Sequence, residues 1–315
     1  MRPVIAVAAG CLVNTAGEVL IAQRPQGKIA AGQWEFPGGK IEPGERADEA
    51  LVRELEEELD VLVRASRPLI RVRHDYADRT VVLDTWLVTA YDGTPRGREN
   101  QAFVWAQPAR LVNYPLLAAD KPIVAALQLP SDYVFTPPNL DEPTLMAQLP
   151  ALPSGSLLRL RRPQLDDSNY AVLAARLAPR CRELGLRLML DRAPELAVTL
   201  GAAGWHGRSP QLAGLQSRPV PESMWFAASV HGEHEMQLAR AAGADFMVLG
   251  SIRQTSSHAG GAVLDWSRFS ELVAQASVPV YGIGGVGPAD RDQLIAVYAQ
   301  GAAGISAYWS VLPSS

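Results

Sequence analysis

Glu54, Glu57 and Glu58 lie in one stretch of the chain, Gly39 to Val61, whose spacing predicts a helix from about Glu45. At roughly 100° per residue from Ala47, Leu51 falls near +40°, Leu55 near +80° and Ala50 near −60°. These form an apolar stripe that should face a core. Glu54, near −20°, and Glu58, near +20°, fall inside that stripe, with Glu57 at its edge near −80°. Glu49 and Glu56 point the opposite way and suit a solvated face. Carboxylates at this spacing repel one another, and burying each without compensation costs on the order of several kcal/mol. A divalent cation removes both penalties, because Mg²⁺ takes a few carboxylates together with the phosphate oxygens of a substrate.

The same residues resemble the signature of the Nudix hydrolases. Gly39, Glu45, Arg53, Glu54, Leu55, Glu57, Glu58 and Val61 stand where that family has its Gly, its Glu, its Arg-Glu-apolar run, its paired Glu and its final apolar residue. Asp60 stands where the family has Gly. A residue just past a helix often needs a left-handed backbone, which Asp tolerates better than most. The similarity to the MutT type covers the whole first half, through Arg24, the run Trp34-Glu35-Phe36-Pro37-Gly38-Gly39-Lys40, Glu99 and Gln101.

That resemblance implies a metal site of Glu54, Glu57 and Glu58, joined by Glu99 and the Gly38 carbonyl, for Mg²⁺ or alternatively Mn²⁺. Either Glu54 or Glu99 would take the proton of the attacking water. Arg53, near −120° and placed in the catalytic set, more naturally ties the loop through a carboxylate such as Glu45. Arg24, Gly39, Lys40 and Asp120 would meet the substrate. Asp120 occupies a position where close relatives carry Asn to read an oxidised guanine, and Asp donates a hydrogen bond only when protonated. It also suits a helix N-terminus through the dipole. The implied activity is hydrolysis of a nucleoside triphosphate such as 8-oxo-dGTP to a monophosphate and pyrophosphate, which sanitises the nucleotide pool.

The elements that must position these residues follow from pattern. Val4–Val13 and Glu18–Gln23 read as strands joined by a turn, Gln33–Phe36 as a short strand, and Pro37-Gly38-Gly39 as a turn whose glycines let backbone approach a ligand. Leu69–Tyr76 and Thr80–Ala90 read as a hairpin, Phe103–Trp105 as a strand and Ala118–Leu129 as a closing helix with Pro122 in its first turn. Together they predict an α+β sandwich over residues 1–130. The start MRPVIAVAAGC is similar to a lipoprotein signal, but its apolar run is short and continues into the strand pattern.

From residue 131 to 315 short apolar strands alternate with helices, predicting a (β/α)₈ barrel. Its eighth strand reads as Gly304–Ala307. Leu160-Arg161, Asp191-Arg192, Gly204-Trp205-His206, Ser229-Val230-His231, Gly243-Ala244-Asp245 and Ile283-Gly284-Gly285-Val286 resemble the thiamine-phosphate synthases and their TenI-like relatives. The resemblance implies binding of a phosphorylated small molecule, with Gly284, Gly285 and Ser306 on the phosphate and Arg159, Arg161 and Asp191 near it. The reactive residues depart from the pattern: Arg159 replaces Gln, Pro163 replaces Lys and Leu190 replaces Asn. Thr255-Ser256-Ser257-His258 stands for Thr-x-Thr-Lys, and Ser251 for a TenI-type histidine. No lysine follows Lys121. His206, His231 and His258 remain for acid–base work or for structure.

Charge excludes other classes. Residues 1–130 carry 15 basic and 17 acidic groups and residues 131–315 carry 14 and 16, so neither half has the positive excess that gripping a polymeric nucleic acid needs. Cys11 and Cys181 exclude a disulfide framework and fit a reducing cytoplasm. No run approaches the ~20 apolar residues of a membrane helix. Beside the nucleotide hydrolase stand a hydrolase of a thiamine-related diphosphate, a bifunctional hydrolase and synthase, and a hydrolase controlled by a ligand-binding barrel.

Overall fold

The computed structural model describes residues 2–98, 101–254 and 263–309. Contacts divide it into two compact units, one built on the residues up to Leu129 and the other on most of the chain from Pro130. The first runs β1 (Val4–Leu12), β2 (Val19–Gln23), β3 (Trp34–Glu35), β4 (Gly38–Lys40), α1 (Ala47–Leu59), β5 (Leu62–Asp75), β6 (Thr80–Asp92), β7 (Phe103–Ala106) and α2 (Lys121–Gln128). One sheet has the order β4-β1-β6-β5 and a second the order β3-β2-β7. β1 lies parallel to β6 and antiparallel to β4.

This is the sandwich that the alternating strands and two helices predict. Ala50, Leu51, Leu55 and Leu59 of α1 pack with Ala8, Leu12, Leu20 and Val88 in one core. Ile123, Val124 and Ala126 of α2 join Cys11, Ile21, Val72 and Leu83 in another. Cys11 is fully buried in β1, so the opening residues are a strand of this core. The hairpin is longer than the apolar pattern suggests. β5 begins at Leu62 because its first half is a mostly exposed ribbon carrying Arg64 and Arg67, with register shifts as far as Pro68/Ile70. The closing helix starts as a 3₁₀ turn, Ala118–Asp120, before α2.

Gly38 shows what the Pro-Gly-Gly turn demands. Its φ is +145°, and a Cβ there would lie 2.1 Å from the Ala8 carbonyl oxygen. The close approach that excludes a side chain at Gly38 is to β1. Gly38→Ala is expected to destabilise the first unit by roughly 2–4 kcal/mol, since both the backbone conformation and the space forbid a methyl group. Thermal melting of the variant, with an unshifted transition as the contrary result, checks this.

The second unit is a closed barrel of eight parallel strands. Its strands are β8 (Asp132–Phe135), β9 (Leu157–Leu160), β10 (Arg187–Leu190), β11 (Gly204–Gly207), β12 (Trp225–Val230), β13 (Phe246–Gly250), β14 (Val280–Ile283) and β15 (Gly301–Gly304). Between them lie α3 (Glu142–Gln148), α4 (Asp167–Glu183), α5 (Pro194–Thr199), α6 (Ser209–Leu212), α7 (Glu233–Ala241), α8 (Trp266–Ala276) and α9 (Arg291–Ala296). Tyr133, Phe246 and Tyr281 meet ring to ring inside the barrel. The eighth strand is Gly-Ala-Ala-Gly, three residues earlier than Gly304–Ala307. The closing strand must fit tightly: a Cβ at Gly301 would lie 2.0 Å from the Ser131 carbonyl oxygen. Small residues are selected there, and they carry little strand signal.

Candidate functional site

The site of the first unit is built on α1. The helix starts at Ala47 rather than Glu45, because Glu45 belongs to the preceding turn and accepts from the Glu42 N–H at 2.9 Å. It ends at Asp60, whose φ of 59° and ψ of 38° are left-handed. Asp thus adopts the conformation that Gly provides elsewhere at such a position. Glu54 and Glu58 are half-buried, and Glu57 is 62 % exposed.

Arg53 organises the carboxylates. Its Nε and Nη2 donate to the two oxygens of Glu45, each at 2.9 Å, and its Nη2 also reaches the Lys40 carbonyl at 3.0 Å. Its Nη1 donates to Glu54 at 2.8 Å and lies 3.6 Å from Glu57. The Arg53 hydrogen bonds hold the Glu45 carboxyl down to about 2. The helix and the Gly38-Gly39 turn are therefore clamped together. Glu58 accepts from the Gly38 N–H at 3.1 Å, and a Cβ at Gly39 would fall 2.2 Å from the Glu54 carboxyl carbon. Gly39 is the residue whose missing side chain makes room for the Glu54 carboxylate.

No three His, Cys, Asp or Glu side chains gather closely enough to hold a metal among the described residues. Arg53 stands between Glu54 and Glu57, Glu58 turns to the Gly38 N–H, and Glu99 lies outside the described residues. The donors on α1 are hard carboxylate oxygens beside a turn that leaves space for them, a set that fits a hard divalent cation.

Beside this helix a small open pocket is lined by Ala22, Gln23, Pro25, Lys28, Glu35, Pro37, Glu58 and Gln101. Gln23 and Lys28 escaped the sequence reading. Their signal is the turn-rich segment Pro25–Gly32 between β2 and β3, a loop of the kind that carries binding residues. Arg24 pairs with Glu35 and donates to the Ile29 carbonyl at 2.7 Å, so it braces this loop. The Lys40 side chain is exposed at the mouth of the turn.

Asp120 is buried, and its Oδ2 has no hydrogen-bond partner. Burial first, then the nearby Glu35 carboxylate, push its carboxyl well above the usual range, against the Phe36 N–H and Arg24. The shift favours the protonated form, in which one oxygen accepts and the other can donate. Cys11 and Tyr76 are its other titratable neighbours, and both are raised chiefly by burial with a contribution from Asp120.

In the barrel, Arg159 donates from Nε and Nη2 to Asp191 Oδ2 at 3.1 and 2.9 Å and lies 4.8 Å over the Phe135 ring. Arg161 bonds Thr136 Oγ1 through its backbone N–H, and its guanidinium is half-buried. Arg192 and Arg208, which also follow strands, are engaged elsewhere: Arg192 with the Arg162 and Leu165 carbonyls and Asp167, Arg208 with Gln211. Gly284 and Gly285 turn with φ of +96° and +68°. A Cβ at Gly284 would strike Ser251 and one at Gly285 would strike Arg253, which donates to the Gly285 carbonyl at 2.8 Å. Packing alone therefore requires these glycines. Ser306 follows β15 in a turn.

His206 is fully buried, with Nδ1 2.7 Å from the Tyr133 hydroxyl and Nε2 2.6 Å from Ser229 Oγ. Burial, with a contribution from Arg159, keeps it neutral. His231 pairs with Glu235 at the start of α7. His258 and the Thr255–Ser257 segment lie outside the described residues. No helix among the described residues is long and apolar enough to cross a membrane.

A carboxylate-bearing helix clamped to a Gly-Gly turn on a mixed sandwich, followed by a closed parallel barrel, defines a two-unit protein of hydrolase and synthase architecture. Residues 8–126 match the NUDIX domain model and residues 133–308 the thiamine monophosphate synthase model. The chain is 39 % identical over 126 residues to the CTP pyrophosphohydrolase of Escherichia coli K12, which covers 40 % of this chain and 92 % of that protein. It is 34 % identical over 122 residues to the 8-oxo-dGTP diphosphatase of the same organism, covering 39 % and 95 %. Over 184 residues it is 31 % identical to the thiamine-phosphate synthase of Bordetella pertussis, covering 55 % and 85 %. The chain belongs to the Nudix hydrolases through its first unit and to the thiamine monophosphate synthase family through its second, and it is an enzyme of the Nudix hydrolase type.

Proposed function

We propose that the first unit is a Mg²⁺-dependent pyrophosphohydrolase of nucleoside triphosphates, with 8-oxo-dGTP as the preferred substrate. The observation that carries this reading is the carboxylate helix held against the Gly38-Gly39 turn, with Glu54 seated where Gly39 has no side chain. Glu54, Glu57 and Glu58, with Glu99 and the Gly38 carbonyl, hold the cation, which when bound neutralises the polyphosphate and supplies an activated water. Arg53 keeps Glu54 oriented and ties the helix to the turn. Arg24, Gly39 and Lys40 meet the nucleotide, and Lys28 lines the pocket beside α1.

CTP is the second reading, supported by the similarity to the CTP pyrophosphohydrolase and by Asp120. A neutral carboxyl accepts through one oxygen and donates through the other. Cytosine offers an acceptor ring nitrogen beside an amino donor. 8-Oxoguanine offers the O6 acceptor beside an N7–H donor, whereas unmodified guanine offers two acceptors. Asp120 therefore suits both substrates and disfavours dGTP. Pyrophosphate release with Mg²⁺ over 8-oxo-dGTP, CTP and dGTP, with phosphate release from thiamine diphosphate alongside, tests this. Faster turnover of dGTP, or of thiamine diphosphate, would overturn it.

For the barrel, the reading is a binding site for a phosphorylated small molecule without thiamine phosphate synthesis. Joining the pyrimidine diphosphate to the thiazole phosphate needs stabilisation of a departing pyrophosphate. Pro163 offers no donor where lysine is expected, and no lysine stands anywhere in this half. Incubation of the full chain with both precursors and Mg²⁺ should yield no thiamine phosphate. Formation at even about 0.01 s⁻¹, the low end for enzymes, would make the chain bifunctional.

A further inference from the structure

The end of the barrel where β8, β9 and β10 finish holds one buried carboxylate, and a cation already occupies it. The Asp191 and Arg159 side chains are only 8 % and 6 % exposed. A carboxylate so far removed from water requires a positive partner, and two N–H donors converge on its Oδ2. The Phe135 ring, 4.8 Å from the guanidinium carbon, holds Arg159 in place from the other side. A divalent ion approaching Asp191 would have to displace this arrangement in a medium where like charges are weakly screened. The donor that precedes Asp191 in the related pattern is here Leu190, which ligates nothing. These residues do not fit a metal-bound pyrophosphate.

Arg161 adds the second observation. It lies one residue past the end of β9, where its backbone N–H donates to Thr136 Oγ1 at 2.8 Å, and its half-buried guanidinium feels the charges of both Arg159 and Asp191. Two guanidinium groups against one carboxylate leave a surplus positive charge in a half-buried place, where an oxyanion is the complementary partner. His206, neutral and bonded at both ring nitrogens, contributes no further charge.

We infer that Arg159 is a built-in replacement for a divalent cation, so that this mouth binds a phosphate- or pyrophosphate-type anion at Arg161 without metal. This rests on the reading of the barrel as a phosphoanion site. Calorimetric titration of the full chain with inorganic pyrophosphate in EDTA tests it, with Arg161→Gln as the reporter: heat lost in that variant belongs to the barrel, and heat that survives belongs to the hydrolase unit. The expected result is an Arg161-dependent binding event in EDTA that weakens at least tenfold in Arg161→Gln. In Arg159→Gln, where Asp191 loses its partner, binding in EDTA should fall at least tenfold and return with Mg²⁺. If that variant does not fold, Arg159→Gln with Asp191→Asn removes both charges, and pyrophosphate binding should then be weak with or without Mg²⁺. Arg161-dependent binding seen only with Mg²⁺ would overturn the replacement by Arg159. Absence of Arg161-dependent binding under both conditions would overturn the phosphoanion reading itself.

Discussion

Glu57→Gln is expected to lower kcat by about 10³-fold, equivalent to about 4 kcal/mol of transition-state stabilisation, while the metal-free protein melts at the same temperature or slightly higher. The side chain is 62 % exposed and touches Arg53 only loosely, at 3.6 Å. An exposed pair of this kind contributes about 0–1 kcal/mol, and removing a charge one turn along the helix from Glu54 relieves repulsion. Nothing in the packing of α1 depends on it, since the buried residues are Ala50, Leu51, Leu55 and Leu59. The amide keeps the shape and loses the anionic oxygen, so the loss falls on cation binding and should also raise the Mg²⁺ concentration for half-maximal rate. Glu54→Gln is a less clean experiment, because Glu54 also accepts from Arg53 and packs on Gly39. Near-normal turnover of Glu57→Gln at saturating Mg²⁺ would remove Glu57 from the metal site.

The helix was legible because its burial repeats every three to four residues, and the structure buries Ala50, Leu51 and Leu55 as that repeat demands. The left-handed Asp60 was legible by another route, because it stands just past the helix end at the position where the resembled signature carries Gly. Periodicity reports a side, however, and not a partner. It placed Glu54 and Glu58 toward the core but gave no hint that Arg53 would stand between Glu54 and Glu57. Gly38 and Gly284 illustrate the same gap. A glycine-rich turn announces a close backbone approach, and only the fold shows that a side chain at Gly38 would strike the Ala8 carbonyl and one at Gly284 would strike Ser251. In the barrel, strands buried on both faces stood out as apolar runs. β15 did not, because closure selects glycine and alanine there. The Arg159–Asp191 pair joins residues 32 apart on adjacent strands, and only the register of β9 against β10 brings them together.

Asp120→Ala is expected to reduce kcat/KM for 8-oxo-dGTP by about 10–10³-fold, or roughly 1–4 kcal/mol, and Asp120→Asn to preserve it. The distinguishing measurement is the pH profile. Burial and Glu35 raise the Asp120 carboxyl, with Arg24 and the Phe36 N–H opposing, and Cys11 and Tyr76 are the other titratable groups around it. As pH rises through its elevated folded value the carboxyl ionises and loses its O–H, so recognition of an acceptor–donor edge should fall in the native protein. The Asn variant, whose amide always offers both a donor and an acceptor, should show no such fall. Stability follows the same sign. A carboxyl raised in the folded state binds a proton that the unfolded chain has released, so stability declines as pH rises from the ordinary carboxylate range to the folded value. Asp120→Asn should therefore raise the melting temperature at neutral pH. A native profile parallel to that of Asp120→Asn, or equal losses in Asp120→Ala on 8-oxo-dGTP and on a diphosphate without a base, would leave Asp120 with a purely structural role at the start of α2.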